Sequence, residues 1–241
     1  MPNGFRTRKV RSAGTRAKIA PGIEPLALRQ DDKARYGVTM QYALVAIIAF
    51  AFGSIPFGLL LTRAAGLGDI RSIGSGSIGA TNVLRTGNKK LAAATVLLDA
   101  AKGALPVVIA GMVFALDGTG QERALAQGVA AVAAVAGHCW TPWLGFRGGK
   151  GFATAAGVLL ALAWPVLLVC AAIWALTLYL SRISSVSSMT TVVLSPLVAW
   201  LMGYPQIIWP LVAIAAIVLI QHRANIGRLM RGEEPKVGAK K

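Results

Sequence analysis

The sequence predicts an all-α, polytopic membrane protein with seven transmembrane helices and a polar site at one membrane face. Three observations lead there. The 241 residues are 55% hydrophobic and 14% charged. The apolar residues run in long blocks, without the spacing of an amphipathic surface helix. The net charge is +16, and the basic residues border the apolar blocks. Such an excess marks cytoplasmic loops in contact with anionic lipid, and its place beside apolar blocks argues against nucleic-acid binding. Cys139 and Cys170, the two cysteines, fall in or beside apolar blocks, and there is no C-x-x-C. The sequence therefore predicts no structural disulfide and no metal site.

Residues 1–39 stand apart. They carry nine Lys or Arg residues, among them Arg6 and Arg35, against Glu24, Asp31 and Asp32. No apolar period appears, so this basic tail is expected to be disordered. It lacks the short apolar core and cleavage site of a secretory signal. Met40 stands directly before the first apolar block, and is expected to be the native start of the chain. An intact mass that includes residues 1–39 rules that out.

Residues 40–241 form the membrane domain. The first span is expected over 41–62; at 1.5 Å per residue it reaches about 33 Å, enough to cross. It carries Gly53-Ser54-Ile55-Pro56-Phe57-Gly58, small residues suited to close helix contact. A loop at 63–90 follows. The second span, 91–116, contains Asp99 and Lys102 on one helical face, read as an internal ion pair that orients the helix. The third, 124–140, ends in Gly137-His138-Cys139-Trp140, where His138 is read as an interface anchor. The fourth span is short, 152–163, because Trp164-Pro165 breaks it, and the fifth is 165–180. A Ser-rich loop leads to the sixth span, 189–203. After Tyr204-Pro205 the seventh, 206–221, leads into a basic tail.

Seven spans fix a parity. The first loop, the Arg147–Lys150 loop and the tail after Gln221 all face one side, together with Arg71, Lys89, Lys90, Arg182, Arg231 and Lys236. The opposite loops hold Asp117, Glu122 and Arg123. The basic side is then cytoplasmic, and the start of the first span lies outside.

Three polar motifs sit on that cytoplasmic side. The first is Gly74-Ser75-Gly76-Ser77-Ile78-Gly79-Ala80-Thr81-Asn82-Val83-Leu84-Arg85. Glycines 74, 76 and 79 let the backbone turn sharply, and bare N–H groups ahead of a helix start form an anion nest. Ser75, Thr81 and Asn82 add donors, and Arg85 adds a fixed charge. The second is Gly148-Gly149-Lys150-Gly151, a flexible turn presenting one ammonium. It is not a Walker A loop, because Leu144 and Gly151 stand where Gly and Ser/Thr are required. The third is His222, Asn225 and Arg228, one helical row able to orient and charge-match a polyol phosphate. No nucleophile elbow and no His-x4-Asp occurs, since Trp143 and Gly227 fill the fifth positions after the two histidines. The site is donor-rich and cationic, without an evident carboxylate base. That suits phosphate recognition and stabilisation of developing negative charge.

In order and spacing the three motifs resemble the bacterial PlsY family, the acyl-phosphate-dependent glycerol-3-phosphate acyltransferases. The resemblance covers 41–237. It also takes in Gly53–Gly58, Asp99 with Lys102-Gly103, Gly137-His138 with Trp140, and Gly232, Glu234 and Lys236. It implies seven membrane helices, an outside N-terminus, and transfer of an acyl group from acyl phosphate to the 1-hydroxyl of glycerol 3-phosphate. The products implied are 1-acyl-glycerol 3-phosphate (lysophosphatidic acid) and phosphate, the first step of phospholipid synthesis. The resemblance further implies an inner-membrane location, no cofactor, and a functional link to an enzyme that produces acyl phosphate.

The catalytic residues implied by the resemblance are Ser75, Arg85, Lys150, His222 and Asn225. Gly148, Gly149 and Gly151 fall in the glycine-rich motif that the family assigns to glycerol-3-phosphate binding, and Glu234 takes a structural role. Ser77 departs from the Asn of many members. The alternative is a small transporter of an anionic solute, motivated by Asp99 and Lys102 within a span and by the break at Trp164-Pro165. Against it, no inverted repeat is apparent and the polar motifs gather at one face. Ser75→Ala separates the two: a transporter loses flux, an acyltransferase loses product.

Overall fold

The computed structural model describes residues 30–238, and the described part is helical without strands. Residues 1–29 of the basic tail lie outside the described residues. Helix α1 covers Gln30–Gly53. Residues 30–39, expected to be disordered, thus continue the first helix; extending a formed helix needs propagation only, without a new nucleus.

Gly53 and Pro56 interrupt the chain, and α2 (Phe57–Ala64) resumes it. The two count as one candidate span, Thr39–Ala64, of 26 residues. A four-residue helix, α3 (Ala80–Val83), lies in the first loop. Helix α4 (Lys89–Asp117) starts at Asn88, whose side chain accepts from the Leu91 N–H at 3.0 Å. Helix α5 (Gly120–Cys139) starts with a capping box between Thr119 and Glu122. Then come α6 (Phe152–Ser181), α7 (Ser184–Leu201), α8 (Ile208–Gln221) and α9 (Arg223–Met230).

Helix α6 is not straight. Ala163, two residues before Pro165, has φ −162° and ψ 84°, outside the helical range. The Phe152 and Trp174 rings stack with centroids 6.1 Å apart. A continuous helix would separate them by about 33 Å. The element therefore doubles back at the break expected beside Trp164-Pro165. The count of seven spans is not reached on length. Among the described residues, five helices are long and apolar enough to cross, or six if the pair Pro205–Gln221 and Arg223–Met230, bent by 60°, is one span. The first arm of α6 is about 16 Å long, short of a hydrocarbon core of roughly 30 Å.

Small residues let the helices touch backbone to backbone. A Cβ on Gly157 would meet the Ala100 carbonyl, and one on Gly103 would meet the Thr154 carbonyl, so α4 and α6 cross with no side chain between them. Gly53 and Gly137 do the same for α1 and α5. Gly157→Leu is expected to destabilise the fold by about 1–3 kcal/mol through overpacking, read as a lowered unfolding midpoint in detergent.

A polar cluster sits within this packing. Asp99 and Lys102 are each 2% exposed, and Lys102 Nζ lies 2.8 Å from Asp99 Oδ1. The same ammonium donates to the Ile55 carbonyl at 2.7 Å, an acceptor freed by the break between α1 and α2. The expected internal ion pair is thus present, and it also fastens a non-helical backbone segment that needs partners within a membrane. His138 is 3% exposed and its Nδ1 is 3.7 Å from Asp99 Oδ1. The reading of His138 as an interface anchor is therefore corrected: it joins the buried pair from a neighbouring helix, a proximity that spacing along one helix cannot reveal. Lys102→Met leaves Asp99 uncompensated, and a loss of about 3–5 kcal/mol is expected. Adding Asp99→Leu should restore most of it in the same unfolding assay.

Candidate active site

The first motif is built around Asn82, which is 1% exposed. Its Nδ2 donates to the carbonyls of Ile70 (2.8 Å), Ser77 (2.9 Å) and Ile73 (3.1 Å). Its Oδ1 accepts from the Ser75 N–H at 3.1 Å and from Arg85 Nη1 at 3.3 Å. Asn82 was expected to bind the ligand; instead its side chain gathers the loop around itself. Part of the expected row of bare N–H groups is engaged. The Ser75, Gly76 and Gly79 N–H groups are committed to Asn82, to the Ile73 carbonyl and to Ser77 Oγ. Ser75, Thr81 and Arg85 are exposed at the loop surface.

The glycines of this loop differ in what they need. Gly74 has φ +57°, and a Cβ there would strike the Arg85 guanidinium and Asn82. Gly76 has φ +67°. Gly79 caps α3 with φ −80°, ordinary for any residue, and a Cβ there would find Ser77 Oγ at 3.6 Å. Gly74→Ala should therefore lower catalytic efficiency by roughly tenfold or more by displacing Arg85, while Gly79→Ala should stay near the native value in the same kinetic assay.

The second motif closes the end of α5. A helix leaves its last carbonyls without partners. Here the Gly148 N–H donates to the Cys139 carbonyl (3.1 Å) and the Gly149 N–H to the His138 carbonyl (2.9 Å). A Cβ on Gly148 would meet those carbonyls, and one on Gly149 would meet the His138 ring. Gly151 takes φ +82° as the residue before α6, with Cys139 Sγ and Val135 at 3.0 Å from a Cβ. The room these glycines leave is filled by α5. They seat the turn that presents Lys150. Lys150 makes no hydrogen bond or ion pair among the described residues. Burial pushes its ammonium down to about 8; Glu234 opposes this, and Arg228 and Arg85 reinforce it.

The third motif spans the bend between α8 and α9. His222 is 2% exposed, and its Nδ1 lies 2.8 Å from the Val218 carbonyl. A carbonyl only accepts, so Nδ1 carries the proton and Nε2 of the neutral ring is an acceptor. Asn225 donates from Nδ2 to Glu234 Oε1. Arg228 Nε lies 2.7 Å from Glu234 Oε2, and Ser185 Oγ donates to Oε1 at 2.7 Å. Burial works to raise the Glu234 carboxyl, but the hydrogen bonds from Ser185, Asn225 and Arg228 outweigh it and hold it below the ordinary range. Three donors occupy this carboxylate, which leaves it poorly placed to act as a base.

The structure brings the three motifs together. Lys150 feels the charges of Arg85, Arg228 and Glu234, and His222 lies within electrostatic reach of Lys150 and Glu234. Asp99 and Lys102 pair with each other, and His138 joins them to the second motif: its Nδ1 is 3.7 Å from Asp99 Oδ1 and its ring lies against Gly149. Ser185 was missed: its one signal was the Ser-rich stretch before α7, and nothing in spacing ties it to Glu234. The start of α6 and the start of α7 both reach this cluster, through Lys150 and Ser185, as the doubling of α6 requires.

A protein-family profile described as glycerol-3-phosphate acyltransferase matches residues 43–232. A glycerol-3-phosphate acyltransferase of Erythrobacter litoralis is 56% identical over 198 residues, covering 82% of this chain and 96% of that protein. One from Mesorhizobium japonicum is 54% identical over 203 residues, covering 83% and 100%. The crystal structure of PlsY, an integral membrane glycerol 3-phosphate acyltransferase, in its glycerol 3-phosphate form matches with TM-score 0.74 and 34% identity, over 82% of this chain and 96% of that one. Its lysophosphatidic acid form matches with TM-score 0.73 and 33% identity.

Proposed function

The chain belongs to the glycerol-3-phosphate acyltransferase family, and on that premise we propose how its own residues carry the reaction and which donor it uses. It is a multi-pass membrane acyltransferase of phospholipid synthesis. It acylates glycerol 3-phosphate to lysophosphatidic acid. The observation that supports the site is that Arg85, Arg228 and Glu234 lie within electrostatic reach of Lys150, with the neutral His222 ring within reach of Lys150 and Glu234 and Glu234 engaged by Arg228.

The donor proposed is acyl phosphate. Glycerol 3-phosphate brings one phosphate, and an acyl phosphate brings a second. Arg85 and Lys150 are charges not consumed by carboxylates among the described residues, and they offset the repulsion between two anions. Ser75 donates from the rim. His222 Nε2 accepts from the 1-hydroxyl of glycerol 3-phosphate and holds it within attack distance of the acyl carbon. Asn225 Oδ1, buried without a donor among the described residues, accepts from the other glycerol hydroxyl. The hydroxyl oxygen attacks the acyl carbon, the bond from that carbon to the phosphate oxygen breaks, and the leaving phosphate takes the hydroxyl proton. The products balance as 1-acyl-glycerol 3-phosphate and inorganic phosphate, with no carboxylate base.

The reading extends to placement. The cluster faces the cytoplasm of a bacterial inner membrane, supported by Arg71, Lys89, Lys90 and Arg231 on the same side of the sequence-derived topology. An enzyme that makes acyl phosphates must then supply the donor there. The test of the donor is direct. Palmitoyl phosphate with glycerol 3-phosphate should give lysophosphatidic acid, and palmitoyl-CoA should give none. Product from the thioester at a comparable rate overturns the proposed donor.

The pH dependence follows from Lys150. Its charged form binds anions and prevails below about 8. The apparent affinity for glycerol 3-phosphate should therefore hold below that pH and weaken by about tenfold per unit above it. A KM profile flat to pH 10 would remove Lys150 from binding.

A further inference from the structure

His138 stands in the last turn of α5, with a different group on each side of its ring. On one side lies the buried pair of α4, where Nδ1 is 3.7 Å from Asp99 Oδ1. On the other lies the second motif. A Cβ on Gly149 would strike Nε2 first, then Cε1 and Cδ2 of the same ring. Gly149 adjoins Lys150, and two backbone hydrogen bonds dock this turn on the end of α5. The His138 ring is the side-chain surface on which the docked turn rests.

Stability alone explains the imidazole poorly. At 3.7 Å the Asp99 contact exceeds hydrogen-bond reach, and Nδ1 is buried without a hydrogen bond among the described residues. A buried nitrogen in that state costs stability. An apolar side chain would fill the volume without that cost. What the imidazole adds is direction. A carboxylate only accepts, so the nitrogen turned toward Asp99 is the protonated one, and the ring then aims Nε2 at Gly149. Asp99 is itself fixed, by Lys102 Nζ at 2.8 Å. The same ammonium binds the Ile55 carbonyl. Three residues on, a Cβ on Gly58 would meet the Ile78 carbonyl of the first motif. The buried pair is thus tied to the support of the first motif and, through His138, to the second.

Resting on the reading of Lys150 as a glycerol 3-phosphate ligand, we propose that His138 is a positioning residue: its ring, steered by Asp99 and Lys102, is the stop that sets how deep the Lys150 turn sits. Without the stop the turn sinks toward the bundle, and the Lys150 ammonium withdraws from the incoming phosphate.

Two substitutions separate this role from a structural one in the full chain. His138→Asn keeps a donor at the Nδ1 position and removes the atoms against Gly149. Its unfolding midpoint should stay near native while the KM for glycerol 3-phosphate rises about tenfold. His138→Gln keeps a polar end at the Nε2 position and leaves Asp99 without its neighbour. Its unfolding midpoint should fall while the KM stays within about threefold of native. The reverse order, a native KM in His138→Asn and a raised one in His138→Gln, overturns the proposal.

A measurement without turnover reads the depth of the turn itself. Trace acetylation of Lys150 across pH, quantified by mass spectrometry, gives the midpoint of its amine, expected near 8 in the native chain. Arg85, Arg228, Glu234 and the His222 ring, the groups in electrostatic reach of Lys150, are left in place by these substitutions. Deeper burial in His138→Asn should lower the midpoint by about half a pH unit or more. Gly149→Ala presses on the same contact from the other side. Gly149 lies outside the left-handed region, so the added Cβ conflicts with the ring and not with the backbone conformation. It should push the turn outward and raise the midpoint by a similar amount. Native midpoints in both overturn the proposal, and Gly149→Ala decides alone if His138→Asn fails to fold. A native chain that performs no acyl transfer rejects the proposed function instead, and the acetylation midpoints then decide the role of His138.

Discussion

Lys150→Met should lower the rate of acyl transfer by about a hundred- to a thousand-fold. The expectation rests on three facts. The Lys150 ammonium stands among Arg85, Arg228 and Glu234, and it is the member of this group that makes no hydrogen bond or ion pair among the described residues. Its position is set by backbone, since Gly148 and Gly149 bond to the last carbonyls of α5. Burial pushes the Lys150 ammonium down to about 8, and an incoming phosphate would offset that loss of solvation. Methionine keeps the stem and the volume and removes the charge. The effect should appear in kcat and in the KM for glycerol 3-phosphate, with the unfolding midpoint unchanged. Lys150→Arg should recover only part of the rate, because a planar fork is not a point charge. Full activity in Lys150→Met would move the site elsewhere.

The second large effect separates two proton routes. His222 presents Nε2 as an acceptor, held by its bond to the Val218 carbonyl. Orientation alone needs an acceptor at that point; general-base catalysis needs a group that takes the proton. His222→Ala should cost about a hundredfold or more on either route. His222→Gln supplies a carbonyl oxygen that can accept but cannot act as a base. If the leaving phosphate takes the proton, His222→Gln should retain activity within about tenfold of native. If His222 is the base, the glutamine variant should be as slow as the alanine one, and native activity should fall on an acid limb below the ordinary histidine range, where burial pushes the His222 ring down to about 4.

Much of this site was legible because it depends on local patterns. Glycine at 74, the basic groups at 85 and 150, and the row His222, Asn225 and Arg228 are short-range signals. The parity of apolar blocks then places them on one side. The break at Trp164-Pro165 was legible for the same reason, and the structure shows its consequence in the Phe152–Trp174 stack. What stayed hidden depends on direction. Asn82 and Thr81 are adjacent polar residues, yet one is buried and organises the loop while the other is exposed. Periodicity cannot tell them apart, because the loop has none. Ser185 and His138 were hidden because each meets its partner across helices, Glu234 in one case and Asp99 in the other. The number of spans stayed open to length: a hairpin with one short arm reads as two spans by its proline and as one helix by its continuity.

Acyl transfer from acyl phosphate to glycerol 3-phosphate, proposed for the Arg85–Lys150 site, should release one phosphate for each lysophosphatidic acid formed. The full chain, purified in detergent and supplied with palmitoyl phosphate and glycerol 3-phosphate, tests it most directly when phosphate and lysophosphatidic acid are followed together. Equal amounts of both are expected, lost together in Arg85→Ala and Lys150→Ala. Phosphate without lysolipid, or neither product from a folded sample, would contradict it.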